Sequence, residues 1–100
     1  MARFEFTNKA VEDLTNIWNY TLSKWSEDQA EIYYEMLIGT CEEVAKKPDL
    51  GRDYSIITES LLGIKSGRHI IFYQKRAEGQ IEILRILHEQ MDLKNRLKEK

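Results

Sequence analysis

The interval between apolar residues changes once along this chain, close to Gly51. Before that point, apolar side chains recur every three or four residues over two long segments, which places them on one side of a helix. After it, apolar residues fall into short runs of strand length separated by polar turns. Helices followed by strands in a chain of 100 residues predict a single α+β domain over residues 1–100, built around one core.

Two helices are predicted in the first half, after a short strand. The segment "RFEF" at residues 3–6 alternates as a half-buried strand does, and Asn8 is expected to cap a helix over residues 9–24. The apolar face of this helix is expected to contain Val11, Leu14, Trp18, Thr21/Leu22 and Trp25. The next segment, "SEDQ", has the pattern of a capping box, and Pro48 ends the second helix. With almost no linker between them, the helices should form an antiparallel hairpin.

Four apolar runs after Gly51 predict a mainly antiparallel sheet. They are "YSII", "LLGIK", "RHIIFYQKR" and "QIEILRILH". The last two are joined by "AEG", whose Gly79 can adopt a positive φ, so they are expected to form a hairpin. The final segment, "EQMDLKNRLKEK", has two interpretations: a short amphipathic helix that uses Met91, Leu93 and Leu97, or a frayed tail.

Arg85 interrupts the last apolar run, which is apolar on both faces as expected of a strand inside a sheet. In a regular strand its side chain would point to the same face as those of Ile81 and Ile83, which are expected to be buried. Either its head reaches an open edge or groove, or a β-bulge turns its side chain away. A buried cation needs a counterion, for which Glu82 or a carboxylate of a partner protein is available.

Charge and composition exclude several classes. Residues 1–50 contain five Lys/Arg against ten Asp/Glu, whereas residues 51–100 contain ten against seven. The basic half could meet an acidic protein or nucleic acid, although ordinary solvated surfaces explain it equally well. Cys41 is the only cysteine, so it is expected to pack as a small apolar side chain. No segment approaches the ~20 apolar residues of a membrane span, and the predicted location is the cytoplasm.

Common motifs of catalysis and ligand binding are missing from the sequence. There is no phosphate-binding glycine loop, HExxH, CxxC or GxSxG, so neither a cofactor nor a metal is predicted. No predicted helix combines a basic face with the preceding turn typical of direct DNA readers.

Four separated segments, in order, resemble the ParE branch of the RelE/ParE toxin superfamily. They are "AVEDLTNIWNYTLSKWSEDQAEIYYEML", "KKPDLGRDYS", "GIKSGRHIIFYQ" and "EILRILHEQMDL". The resemblance implies a helical hairpin packed on a mainly antiparallel sheet. It also implies a toxin that traps DNA gyrase on cleaved DNA and is neutralised by a ParD-like antitoxin. On this interpretation the protein contacts DNA only indirectly, through gyrase or the antitoxin, and it is not an enzyme.

Two alternatives remain open within the superfamily. A RelE-like ribonuclease, which cleaves mRNA on the ribosome, would use Arg68, Arg85 and His88 for charge neutralisation and proton transfer. Relatives of that type carry a tyrosine near the C-terminus, whereas this chain has none after Tyr73. The other alternative is an inactive homologue that only binds the antitoxin.

The residues predicted to contact the target or the antitoxin are Arg52, Arg68, His69, Arg85, His88 and Met91. Purely structural roles explain His69 and His88 about as well, through hydrogen bonding at strand ends. The aromatic residues Trp18, Trp25, Tyr33 and Tyr34 are interpreted as packing residues. The "PDLGR" segment is interpreted as a helix stop and a turn.

Overall fold

A computed structural model of the chain describes residues 3–97. Its elements are β1 Arg3–Phe6, α1 Asn8–Lys24, α2 Glu27–Lys46, β2 Arg52–Asp53, β3 Leu62–Ser66, β4 His69–Lys75, β5 Gln80–His88 and α3 Leu93–Leu97. The strands form one sheet in the order β1-β5-β4-β3-β2, in which β1 runs parallel to β5 and the other pairs are antiparallel. The predicted α+β architecture is confirmed. No helix within residues 3–97 has the length and apolar character needed to cross a membrane.

Thr7 starts α1 and ties it to β5. Its Oγ1 accepts a hydrogen bond from the Ala10 amide at 3.1 Å and donates one to the Leu84 carbonyl at 2.8 Å. The Thr7 amide itself donates to the Ile83 carbonyl at 3.0 Å. The prediction that Asn8 caps this helix was wrong by one residue, because Thr7 has the extended backbone of a cap and Asn8 is already helical.

The side of α1 that meets the core differs from the predicted face. Its core contacts come from Ala10, Leu14 and Ile17. Three of the residues expected there are largely exposed instead: Val11 at 49%, Leu22 at 43% and Trp25 at 74%. The expected face was therefore rotated toward solvent, because both sides of the helix carry apolar residues and the sheet lies under only one of them.

The start of α2 follows the predicted capping box, with the Ser26 hydroxyl accepting from the Gln29 amide at 3.1 Å. Its buried residues are Ala30, Leu37, Cys41, Val44 and Ala45. An edge-to-face contact between Trp18 and Tyr34, with ring centroids 6.1 Å apart, joins the two helices of the hairpin. The helix ends at Lys46, just before the Pro48 turn.

Tyr73 of β4 fixes the turn that follows α2. Its hydroxyl donates to the Pro48 carbonyl at 2.7 Å and accepts from the Gly51 amide at 2.9 Å. A Cβ atom at position 51 would lie 2.3 Å from that hydroxyl oxygen, so only glycine fits there. The "PDLGR" segment thus forms the stop and turn that the sequence predicted.

A β-bulge in β5 explains the irregular apolar pattern around Arg85. Phe72 pairs with Arg85, whereas the next residue, Tyr73, pairs with Ile83, so Leu84 is the extra residue. The inward-facing series therefore changes parity, and Ile86 joins the same core cluster as Ile83. Of the two alternatives given for this strand, the bulge is confirmed.

A second, smaller core lies among Leu61, Phe72 and Leu87, and is partly covered by Tyr54, Leu84 and the two leucines of α3. The predicted "YSII" strand is wrong: residues 54–57 form a turn in which the Ile57 amide donates to the Tyr54 carbonyl at 2.9 Å. The cause is local, because the Asp53 carboxylate accepts from the Ser55 amide at 2.7 Å and bends the chain.

The last described segment is helical at Leu93–Leu97, so the helix interpretation is confirmed for these residues. Met91 lies before this helix rather than in it. The remainder of the predicted tail, residues 98–100, lies outside the described residues.

Candidate functional site

The hairpin of β4 and β5, with the residues next to it, brings four of the six predicted residues together. His69 and His88 are cross-strand partners, and their rings meet edge to face with centroids 5.3 Å apart. Arg68 precedes His69, and its carbonyl accepts from the Glu89 amide at 2.9 Å. We call His69 and His88 the histidine pair. Met91 adjoins it, since its amide donates to the His88 carbonyl at 3.0 Å.

Tyr33 of α2 holds the His69 ring by a hydrogen bond. The Tyr33 hydroxyl accepts from the Arg68 amide at 3.0 Å and lies 2.6 Å from Nδ1 of His69. The hydroxyl and Nδ1 share one hydrogen bond, whose donor is set by the tautomer of the His69 ring. Burial, followed by the charge of His88, lowers the pKa of His69 to about 4. His69 is thus a neutral imidazole at neutral pH.

His88 has a similar hydrogen-bond arrangement. Its Nδ1 accepts from the Gln90 amide at 3.1 Å, so its neutral form carries hydrogen on Nε2. In its neutral form the His88 ring can donate a hydrogen bond from Nε2, but it has no free ring nitrogen to accept a proton. The arrangement favours contact with an acceptor group over general base catalysis.

The edge of the histidine pair is lined with charge. Lys65 lies 3.0 Å from the Glu89 carboxylate, whose pKa is lowered mainly by its hydrogen bond from Lys65. Arg68 is exposed beside them. Two exposed cations, Lys65 and Arg68, therefore lie around the Glu89 carboxylate beside the histidine pair. Among the described residues, no group of three or more His, Cys, Asp or Glu side chains is placed to hold a metal ion.

Arg85 is held inside the molecule. Its Nε and Nη2 atoms donate to the two carboxylate oxygens of Asp13, at 2.7 and 3.0 Å, and each side chain is only 11% exposed. Nη1 donates to the Arg96 carbonyl at 2.9 Å. Asp13 also accepts from the Ile86 amide at 3.0 Å, beside the bulge. The counterion expected from the sequence, Glu82, pairs with Arg76 instead.

Arg52 lies apart from the histidine pair. It is an exposed residue of β2, paired with Gly63, at the far edge of the sheet from β1. Across the sheet, Gly63 pairs with Phe72, and Phe72 pairs with Arg85. Arg52 is therefore in register with Arg85 but three strands away from it. The structure thus brings Arg68, His69, His88 and Met91 together and places Arg52 and Arg85 elsewhere.

Sequence reasoning missed Asp13 and assigned Tyr33 only to packing. A usable signal existed for Asp13, because it is three or four residues from Ala10 and Ile17 and so lies close to the inward side of α1. A carboxylate in that position predicts a buried partner. No comparable signal marked Tyr33, because its partners are more than 30 residues away.

Comparison with known proteins gives a consistent result. Residues 4–93 match the family model described as "ParE toxin of type II toxin-antitoxin system, parDE". The chain is 32% identical over 96 residues to Toxin ParE1 of Mycobacterium tuberculosis, covering 96% of this chain and 98% of that protein. It is 31% identical over 97 residues to Toxin ParE1 of Caulobacter vibrioides, covering 97% and 99%.

A solved structure, "Chromosomal ParDE TA system from P. aeruginosa", contains a chain with the same fold. It superposes with a TM-score of 0.75 over 88% of this chain and 96% of that one, at 16% identity. Because the family match spans nearly all the secondary structure, and the relatives align over almost their whole length, this chain belongs to the ParE toxin family of type II toxin–antitoxin systems.

Proposed function

We propose that this toxin acts in the cytoplasm as a protein inhibitor of DNA gyrase and is neutralised by a ParD-like antitoxin. The observation that carries the proposal is the state of the three residues that a RelE-like ribonuclease would need. Arg85 is bound to Asp13 inside the molecule, Nδ1 of His88 is occupied by the Gln90 amide, and Arg68 alone is exposed. These contacts favour a docking surface over a catalytic set.

The surface proposed to contact the target consists of Arg68, His69, His88 and Met91. It presents a guanidinium, ring N–H donors and an exposed thioether on one end of the sheet. Such a combination suits a carboxylate-bearing protein surface. Arg52 is proposed to make a separate contact, and Arg85 to act by holding the scaffold.

A ParD-like antitoxin is supported by the solved relative, which comes from a ParDE system. The exposed apolar residues of α1, together with Tyr34 of α2, offer an area that an antitoxin segment would cover.

The direct test mixes the purified chain with gyrase, ATP and relaxed plasmid. We expect lost supercoiling together with linear DNA covalently linked to protein, and we expect both effects to disappear when the cognate antitoxin is added. Absence of linear product from a folded chain that still arrests growth would contradict the proposal. Cleavage of mRNA on ribosomes, lost on replacing His88→Gln, would then establish the ribonuclease alternative.

The proposed contact surface is tested by two matched substitutions. Arg68→Ala removes an exposed cation beside the histidine pair, and we expect it to weaken gyrase inhibition about tenfold or more. Arg3→Ala removes an exposed cation at the other end of the β1–β5 pair, where Arg3 pairs with Gln80, and should leave inhibition unchanged. Inhibition by the Arg68→Ala variant equal to that by the Arg3→Ala variant would remove Arg68 from the contact surface.

A further inference from the structure

β1 forms one edge of the sheet, and its outer side is open. Among residues 3–97, β5 is the only strand with which β1 pairs. The Thr7 amide donates to the Ile83 carbonyl, and in a strand the residues that bond to the same neighbour alternate. The backbone N–H and C=O groups of Phe4 and Phe6 therefore point away from β5, toward the open edge, where they are available to another strand.

The side chains of β1 differ between its two faces. Phe4 and Phe6 pack against the core cluster beneath the helical hairpin, whereas Arg3 and Glu5 are exposed on the opposite face. Neither charged residue takes part in the ion pairs found among residues 3–97. The exposed face of this edge strand thus carries one positive and one negative charge, two positions apart, with Phe4 midway between them.

This spacing makes the strand complementary to itself. When a second copy of β1 lies antiparallel to the first, with the two Phe4 residues opposite each other, Arg3 of each copy lies opposite Glu5 of the other. Residues directly opposite in such a pair have Cβ atoms about 4.5–5.5 Å apart, which is close enough for two ion pairs. The two Phe4 residues also exchange both of their backbone hydrogen bonds in this register. We call it the Phe4-centred register.

Charge selects this register over its neighbour. A shift of two positions sets Phe4 opposite Phe6, which also satisfies the outward backbone groups, but it sets Glu5 opposite Glu5 of the second copy. Like charges directly opposite destabilise a strand pair. Registers shifted farther are blocked, because the strand ends at Phe6 and α1 begins at Asn8. The Phe4-centred register is therefore the most favourable antiparallel pairing of β1 with itself.

A cavity beside Phe4 has room for a side chain of the second copy. Its volume is about 330 Å³, and it lies between β1 and the end of α2, where Phe4, Glu42, Ala45 and Lys46 line it. Opposite residues in a strand pair point to the same face of the sheet, so Phe4 of the second copy projects next to this cavity. The pairing thus buries apolar surface on one face of the sheet and forms ion pairs on the other.

We propose that two copies of this chain pair through β1 in the Phe4-centred register, which joins their sheets into one of ten strands, five from each copy. The other edge strand, β2, has two residues and presents little edge to a partner. The histidine pair stays uncovered, because β1 pairs with residues 80–83 of β5 and His88 lies at the other end of that strand. Monomer and dimer therefore present the same proposed contact surface to a target.

Sedimentation velocity of the purified full chain, over a range of concentrations, measures this self-association. Because the contact is small, we expect a dimer that dissociates on dilution. Arg3→Glu sets glutamate opposite Glu5 at both ends of the contact, and we expect it to raise the dissociation constant about tenfold or more. The matched control is Lys24→Glu, which changes the net charge equally at an exposed position about 24 Å along α1 from Asn8, and it should leave the dimer intact.

A mixing experiment tests the register itself. Arg3→Glu and Glu5→Arg should each self-associate poorly, because each variant sets like charges opposite each other in the dimer. Mixed in equal amounts they should form a heterodimer, in which each glutamate lies opposite an arginine. Both positions are exposed, so the circular dichroism spectra of the variants should stay unchanged.

Three results would overturn the proposal. The first is an unaltered chain that remains monomeric at every concentration. The second is a dimer that Arg3→Glu leaves unchanged, or that Lys24→Glu weakens equally. The third is a failure of the two charge variants to associate when they are mixed. None of these measurements involves gyrase or the antitoxin, so the proposed function is tested separately.

Discussion

His69 and His88 lie side by side but have different surroundings. His69 is bound by the Tyr33 hydroxyl beneath α2, whereas His88 is bound by a backbone amide at the end of β5. The sequence placed both residues at strand ends, but the difference arises from Tyr33, which the fold brings from a helix.

At this scale we predict an unusual titration of His69. In NMR spectra its ring should titrate with a midpoint near its pKa of about 4, well below the ordinary 6.5, because burial and His88 disfavour its charge. The unfolded chain then binds more protons than the folded one between these values, so the free energy of unfolding should fall as pH falls through that range.

The control for this titration is His88→Gln, which removes the neighbouring charge. It should move the midpoint of His69 upward toward 6.5, while burial keeps it below that value. A midpoint near 6.5 in the unaltered chain would show that the ring is solvated and is not bound by Tyr33.

Among the elements, helices with local signals were predicted well. The Ser26 cap of α2, which is one half of the predicted capping box, the end of α2 before Pro48 and the Gly79 turn depend on neighbours in sequence, and all three are present. The N-cap residue of α1 and the face that α1 buries depend instead on the position of β5. No local sequence pattern indicates that position. The same holds for residues 54–57, whose turn is set by Asp53 although their composition is that of a strand.

The predicted and observed caps of α1 can be compared directly. Thr7→Ala should lower the free energy of unfolding by about 1–2 kcal/mol, because it removes the cap of Ala10 and the bond to Leu84. Asn8→Ala should change it by less than about 0.5 kcal/mol, since position 8 is already helical. Urea unfolding of the two variants measures both values, and an equal loss would contradict the Thr7 cap.

For the whole molecule, the ion pair between Asp13 and Arg85 links parts of the chain far apart in sequence. It joins α1 to the bulge of β5, and Arg85 continues to the carbonyl of Arg96 in α3. Arg85 lies at a strand position expected to be buried. This predicted either a β-bulge or an open edge or groove there, and the structure has the bulge. The position of Asp13 on α1 indicated a carboxylate with a buried partner, but its pairing with Arg85 could not be deduced, because the two residues are 72 positions apart.

Breaking this pair should have a large effect on stability. Asp13→Asn removes the Asp13 charge from beside a guanidinium that is mostly buried, and we expect a loss of about 3–5 kcal/mol in the free energy of unfolding. The exposed pair of Lys75 with Asp49 is the control, and Asp49→Asn should cost less than about 1 kcal/mol. Similar losses in the two variants, measured by chemical denaturation, would show that solvent reaches the Asp13 site.

Because Cys41 is buried, the reactivity of its thiol measures how often the helical hairpin separates from the sheet. The Cys41 side chain is inaccessible beneath the hairpin, and burial raises the pKa of its thiol to about 12. Alkylating reagents react with the thiolate, so labelling proceeds only from molecules whose helices have lifted from the sheet. The rate of labelling therefore counts opening events without any substitution, and its slowing by a bound antitoxin would report how strongly that partner holds the toxin closed.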